Sequence, residues 1–209
     1  MAATVSPTVG DAGVDTADAA AVLALAKAAV RELCGNATTA RRLAEFSFAA
    51  DAMTSAVVAT GAGRPGVVQL RFPINVVPNG GAENIKGWLH GGSAAWALTT
   101  LPVTHLVAHV AHATGHAASG GGAGHAPAVR GGTNLAMSFI EPLPVGRPAV
   151  VTTVVRRAGG RLAFVDSAIV DAGNETRCYV TASLTVALDP ATTTAGKGKG
   201  TRAAQFSRL

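Results

Sequence analysis

The sequence predicts an α+β domain in which one apolar helix lies against an antiparallel sheet, and three observations carry that expectation. Residues 94–101 are apolar nearly all round, as a helix wrapped by a sheet must be. Three strand-like runs, 149–157, 162–171 and 176–188, are separated by Gly159-Gly160 and Gly173-Asn174, which read as hairpin turns. A chain of 209 residues, 48% hydrophobic and 14% charged, can bury one substantial core and is too apolar for wholesale disorder.

Taken in order, residues 1–51 form an N-terminal extension. Its first fifteen residues are small and polar, and Asp15 or Thr16 can then cap a helix running to about Cys34, with Gly35 as its stop. A second helix is expected over 38–51. The main domain, 52–189, opens with strands at 54–60 and 66–73 around a turn at 61–65. The apolar helix starts near Gly91, and Pro102 should kink or restart it. The stretch 114–129, centred on Gly120-Gly121-Gly122-Ala123-Gly124, is too poor in large apolar groups to bury itself and reads as a mobile surface insertion. A strand ending at Pro142 and the three later strands complete the domain. Residues 190–209 read as a flexible basic tail.

Composition narrows the functional classes. With nine aromatics among 209 residues, the core is built from small side chains. Cys34 and Cys178 read as buried small hydrophobes in a reducing compartment. No run of eighteen apolar residues occurs, so no membrane span is expected. Asp11, Asp15, Asp18 and Glu32 do not suit a transit peptide. The net charge of +5 resides partly in Lys197, Lys199 and Arg202 and lacks aromatics interleaved with arginine, which argues against nucleic acid as a partner. His105, His109, His112 and His116 fall on one helical face and could chelate Zn²⁺ or Ni²⁺. Leu106 stands where a His-Glu-x-x-His motif needs its glutamate, however, and the expectation is a polar helix end with no metal and no cofactor. The chain closes on Ser207-Arg208-Leu209, one cation exchanged from the peroxisomal address Ser-Lys-Leu. The sequence therefore predicts an import receptor as partner and a peroxisome-like organelle as location where the source has one, otherwise the cytoplasm.

The chemistry concentrates in Asn84-Ile85-Lys86-Gly87-Trp88-Leu89-His90-Gly91-Gly92. A His-Gly-Gly that opens a helix sets unshielded backbone N–H groups at the positive end of the helix dipole, where they can hold a developing oxyanion. Gly132 to Pro142, then Gly146, and Arg157-Ala158-Gly159-Gly160-Arg161-Leu162-Ala163-Phe164 follow in order. Over residues 52–188 this combination resembles the hotdog-fold acyl-CoA thioesterases of the phenylacetate-pathway type. The resemblance implies a curved antiparallel sheet wrapped around the helix from Gly91. It also implies a homodimer or homotetramer joined at sheet edges, with each site between two subunits.

By the same resemblance, Gly91 polarises the thioester carbonyl, His90 positions it, Asn84 orients the site, and Gly92 and Thr133 are neighbouring substrate-binding positions. Arg156, Arg157 and Arg161 flank a hairpin turn and suit the phosphates of coenzyme A. Relatives often carry an aspartate nine residues after the histidine. Here that residue is Thr99, and residues 84–140 contain no Asp or Glu. Threonine is no base near neutrality without a partner. Glu83, His90 or a group from the partner subunit could substitute. Two functions follow: a thioesterase with an altered site, or a weak or inactive hotdog protein that binds acyl-CoA or serves as an assembly subunit.

Overall fold

A computed structural model describes residues 16–58, 66–113, 129–159 and 161–188. Helices α1 (Thr16–Leu33) and α2 (Ala37–Ala44) and a short 3₁₀ turn (Ala50–Ala52) precede strands β1 (Thr54–Val58) and β2 (Val67–Asn75). Helix α3 (Gly91–Ala113) follows, and then β3 (Val129–Phe139), β4 (Pro148–Ala158), β5 (Leu162–Asp171) and β6 (Cys178–Leu188). The six strands form one sheet in the order β1-β2-β4-β5-β6-β3, every neighbouring pair antiparallel, so β1 and β3 are its edges.

Strict alternation builds the sheet's inner face. In β2, Val68, Leu70, Phe72 and Ile74 are buried while their neighbours are half-exposed. Helix α3 lies against this face and α1 lies against α3, burying Ala19, Val22, Ala26 and Val30 at helical spacing. Enclosure on two sides accounts for the composition of α3, which by length and hydropathy alone could cross a membrane. At Pro102 the helix does not restart. It continues through that residue, whose buried ring costs one internal N–H bond while the surrounding packing is kept.

Other boundaries shift as well. Helix α2 starts one residue earlier than expected because Asn36 caps it, its Oδ1 accepting from the N–H groups of Thr38 (2.9 Å) and Thr39 (3.2 Å). It ends at Ala44, since Ser47 takes a positive φ of 44°. Cys34 is exposed and Cys178 half-buried, so neither is the buried hydrophobe expected. Cys34 follows the last turn of α1, where the chain turns outward through Gly35. The insertion assigned to 114–129 falls outside the described residues except for Val129, which begins β3; the tail and its Ser207-Arg208-Leu209 address also fall outside them.

The core is divided. One apolar cluster gathers Phe72, Leu101, Val151, Ile169 and Val180; a second gathers Leu106, Val110, Val155, Val165, Leu184 and Val186. Between them runs a polar seam. Thr153 lies between Val151 and Val155 on β4, opposite Ser167 on β5, and its Oγ1 is 2.8 Å from His105 Nδ1. His105 is completely buried, which corrects its reading as part of a polar helix end. Among the described residues, His105 Nε2 and Ser167 Oγ have no partner. Desolvation, reinforced by His109, lowers the His105 pKa to about 3, so the imidazole is held neutral.

Candidate active site

The loop before α3 is organised by Asn84. Its Oδ1 accepts from the N–H groups of Lys86 (2.9 Å) and Trp88 (3.2 Å), while its own N–H donates to the Trp88 carbonyl at 2.7 Å. Gly87, at φ 72°, makes the turn between them. The exit strand is pinned by Leu89 N–H to the Leu143 carbonyl and His90 N–H to the Ala82 carbonyl, at 2.9 and 2.8 Å.

His90 caps the helix. Its Nδ1 accepts from Gly92 N–H at 3.0 Å and its carbonyl from Ala94 N–H at 2.9 Å. That bond engages the Nδ1 lone pair, which places the proton of the neutral ring on Nε2. Gly92 N–H is consumed by the same bond. Gly91 N–H, by contrast, has no acceptor among the described residues. Gly91, Asn84, Trp88 and Leu89 open onto a cavity of about 440 Å³, completed by Phe139, Ile140, Glu141, Pro142, Leu143 and Val180. Its walls are mostly apolar, and Phe139 (60% exposed) and Ile140 (57% exposed) extend them outward. A helix-start N–H without an acceptor, on a residue that lines an apolar cavity, can serve a carbonyl oxygen that gains charge.

The structure gathers only part of the residue set that the sequence suggested. Asn84 and Gly91 share the cavity and His90 adjoins it. Thr99 does not line it: its Oγ1 donates back to the Ala95 and Trp96 carbonyls, both at 2.9 Å. Glu83 also turns away, its Oε1 accepting from Asn79 N–H at 2.6 Å. Thr133 is exposed on β3, its Oγ1 donating to the Thr185 carbonyl at 3.2 Å. Arg156 pairs with Asp166 at 2.8 Å, and Asp166 also accepts from Ser183. Arg157 and Arg161 are exposed and make no ion pair among the described residues.

Strand register separates these groups. The cavity lies beside Val180 at the start of β6, whereas the Arg157–Arg161 turn lies beside Ala187 and Leu188 at its end. Eight residues of strand, roughly 26 Å at about 3.3 Å each, divide them. Within one chain the cations do not reach Gly91. Sequence reasoning also missed Glu141, which lies one residue past the stretch searched for carboxylates and yet lines the cavity. Its signal was present in the Phe139-Ile140-Glu141-Pro142 motif, unassigned a role. Among the described residues no three His, Cys, Asp or Glu side chains gather to hold a metal; His112 Nε2 instead meets Asp18 at 2.9 Å.

No protein-family model matches the sequence, and no curated protein matches it by sequence. Solved structures match by shape. Zebrafish thioesterase superfamily member 2 superposes with a TM-score of 0.53 at 16% identity, covering 79% of this chain and 97% of that one. The mouse protein of the same name gives 0.52 at 14%, covering 78% and 96%. The E. coli PaaI protein from the phenylacetic acid degradation operon gives 0.53 at 13%, covering 80% and 95%. At such identities the likeness is one of architecture, and it agrees with the helix, the sheet order and the edges described above: the chain has the hotdog fold of these thioesterase-superfamily structures.

Proposed function

We propose that the protein hydrolyses acyl-CoA thioesters, with Gly91 N–H as the oxyanion donor. The observation that carries this reading is that Gly91, whose N–H has no acceptor among the described residues, begins α3 and lines a mostly apolar cavity of about 440 Å³, within the range of small-molecule sites. Thioesterases among the structural neighbours support it. Water attacks the carbonyl carbon, the carbonyl oxygen takes the charge against Gly91, and collapse breaks the C–S bond to release the carboxylic acid and the CoA thiol. Thr99 stands where relatives use a carboxylate. Its hydroxyl is committed to the helix and supplies no base.

A homodimer completes the site in this proposal. Edge strand β3 ends at Phe139 beside the cavity and begins at Val129 beside the arginine turn. Antiparallel pairing of two β3 edges would cover both and bring each copy's Arg157 and Arg161 alongside the other's Gly91 end. Hydrolysis measured over short, long and aromatic acyl-CoAs tests the reading directly. Turnover of at least one class is expected; tight CoA binding without turnover on any class would leave the non-catalytic binder in its place.

A further inference from the structure

The hydrolase reading leaves the attacking water without a base, and the cavity contains a carboxylate that can serve. Glu141 lines the same cavity as Asn84 and Gly91. Its backbone is fixed, because the N–H groups of Ile140 and Glu141 both donate to the Tyr179 carbonyl, at 2.8 and 3.2 Å. Its side chain is held: Arg177 Nε donates to Glu141 Oε2 at 2.7 Å. Arg177 is steadied in turn by the Tyr179 ring, whose centroid lies 5.4 Å from the guanidinium carbon. Tyr179 is itself anchored, its ring buried and its hydroxyl donating to Asp171 Oδ2 at 2.7 Å. The chain Asp171–Tyr179–Arg177 thus presents one carboxylate, and Glu141 Oε1 makes no bond among the described residues.

Resting on the hydrolase reading, we propose that Glu141 is the general base of this site. Glu141 takes a proton from water as the water oxygen bonds to the thioester carbonyl carbon, and the carbonyl oxygen becomes an oxyanion held by Gly91 N–H. The oxyanion then re-forms the carbonyl, the C–S bond breaks, and the departing thiolate receives the proton from Glu141, which returns to its carboxylate form. No other reactant is needed. The assignment also answers the missing helix carboxylate at Thr99 without invoking Glu83, which is not among the residues lining the cavity, or His90, whose Nδ1 lone pair already accepts from Gly92 N–H.

The pair with Arg177 is largely solvent-exposed and adds little to stability, so Glu141→Gln is a clean probe of chemistry. The full-length protein and E141Q are compared by kcat, KM, pH profile and melting temperature on the best acyl-CoA substrate. A kcat loss of about 10²–10⁴-fold is expected, with KM and melting temperature little changed and the low-pH limb of kcat absent from the residual rate. An active wild type with an equally active E141Q overturns this assignment alone. A wild type that turns over no acyl-CoA overturns the hydrolase reading and this assignment with it.

Discussion

The two ends of the sheet differ in chemistry. The Gly91 end offers a free helix-start N–H, an apolar cavity and a carboxylate held by Arg177. The Arg157–Arg161 end is a solvated cationic turn beside exposed Leu162 and Phe164. One end can polarise a carbonyl and the other can hold phosphate, and a single chain keeps them roughly 26 Å apart at about 3.3 Å per strand residue. On the proposed acyl-CoA reading, a site that uses both ends needs two copies of the chain. A mutation at the first end should change kcat, and one at the second should change KM.

Beside Glu141→Gln, the largest effect should come from Gly91→Pro. Proline is well tolerated at the first helical position, where its missing N–H breaks no helical bond, so the substitution removes the proposed oxyanion donor with little damage to α3. A kcat loss of about 10²–10³-fold is expected in a protein that melts near the wild-type temperature. Gly91→Ala is the control, since it keeps the N–H and its Cβ would meet Phe139 Cζ at 3.4 Å, an ordinary contact. Equal turnover by folded G91P would move the oxyanion site elsewhere.

Thr99→Asp sharpens the same end. If the partner subunit's helix faces this cavity, a carboxylate there competes with Glu141 for one role. The substitution should then leave kcat unchanged in the wild-type background and recover about tenfold or more in the E141Q background, part of the general-base contribution. A gain in the wild type would mean that Glu141 was never the base. Thr99→Asp also places a charge at a half-buried position of α3, so some loss of melting temperature is expected in both backgrounds.

At the other end, Arg157→Ala together with Arg161→Ala should raise KM for acyl-CoA about tenfold while kcat holds, the loss of about 1.4 kcal/mol of ground-state phosphate contact. The effect should fade when a short thioester lacking the nucleotide replaces CoA. An unchanged KM would cut the link between the ends and, with it, the case for an antiparallel β3 pairing.

What the sequence made legible follows from the range of each interaction. The start of α3 at Gly91 and the limits of β5 at Leu162 and Asp171 were readable because glycine punctuation and alternation act over a few residues. The cap at Asn36 was local as well and was passed over. Three features depended on strand order instead. Glu141 becomes a site residue only because β3 pairs with the start of β6, the arginines leave the site only because their turn lies at that strand's far end, and His105 is buried only because it meets Thr153 on β4. No spacing rule within one element carries that information.

The seam between the two ends offers a test that reads stability and not turnover. His105, with its pKa lowered to about 3 against about 6.5 in an unfolded chain, binds fewer protons folded than unfolded between those values. Folding stability is therefore unaffected by this group above about pH 6.5 and falls as pH drops below it, by at most about 1.4 kcal/mol per unit down to the folded value. Replacing His105→Leu with Thr153→Val removes both partners of the buried bond together with the orphaned Nε2, an exchange that is often neutral or stabilising when shape is kept. Urea titrations at pH 7.5 and pH 5 should give nearly equal midpoints for the double variant and a clearly lower one at pH 5 for the wild type. Ser167 stays in both proteins, so its unpaired hydroxyl cancels in the comparison. Equal acid sensitivity in the two would assign the slope to other groups, with half-buried His109, which burial also shifts downward, the first to replace.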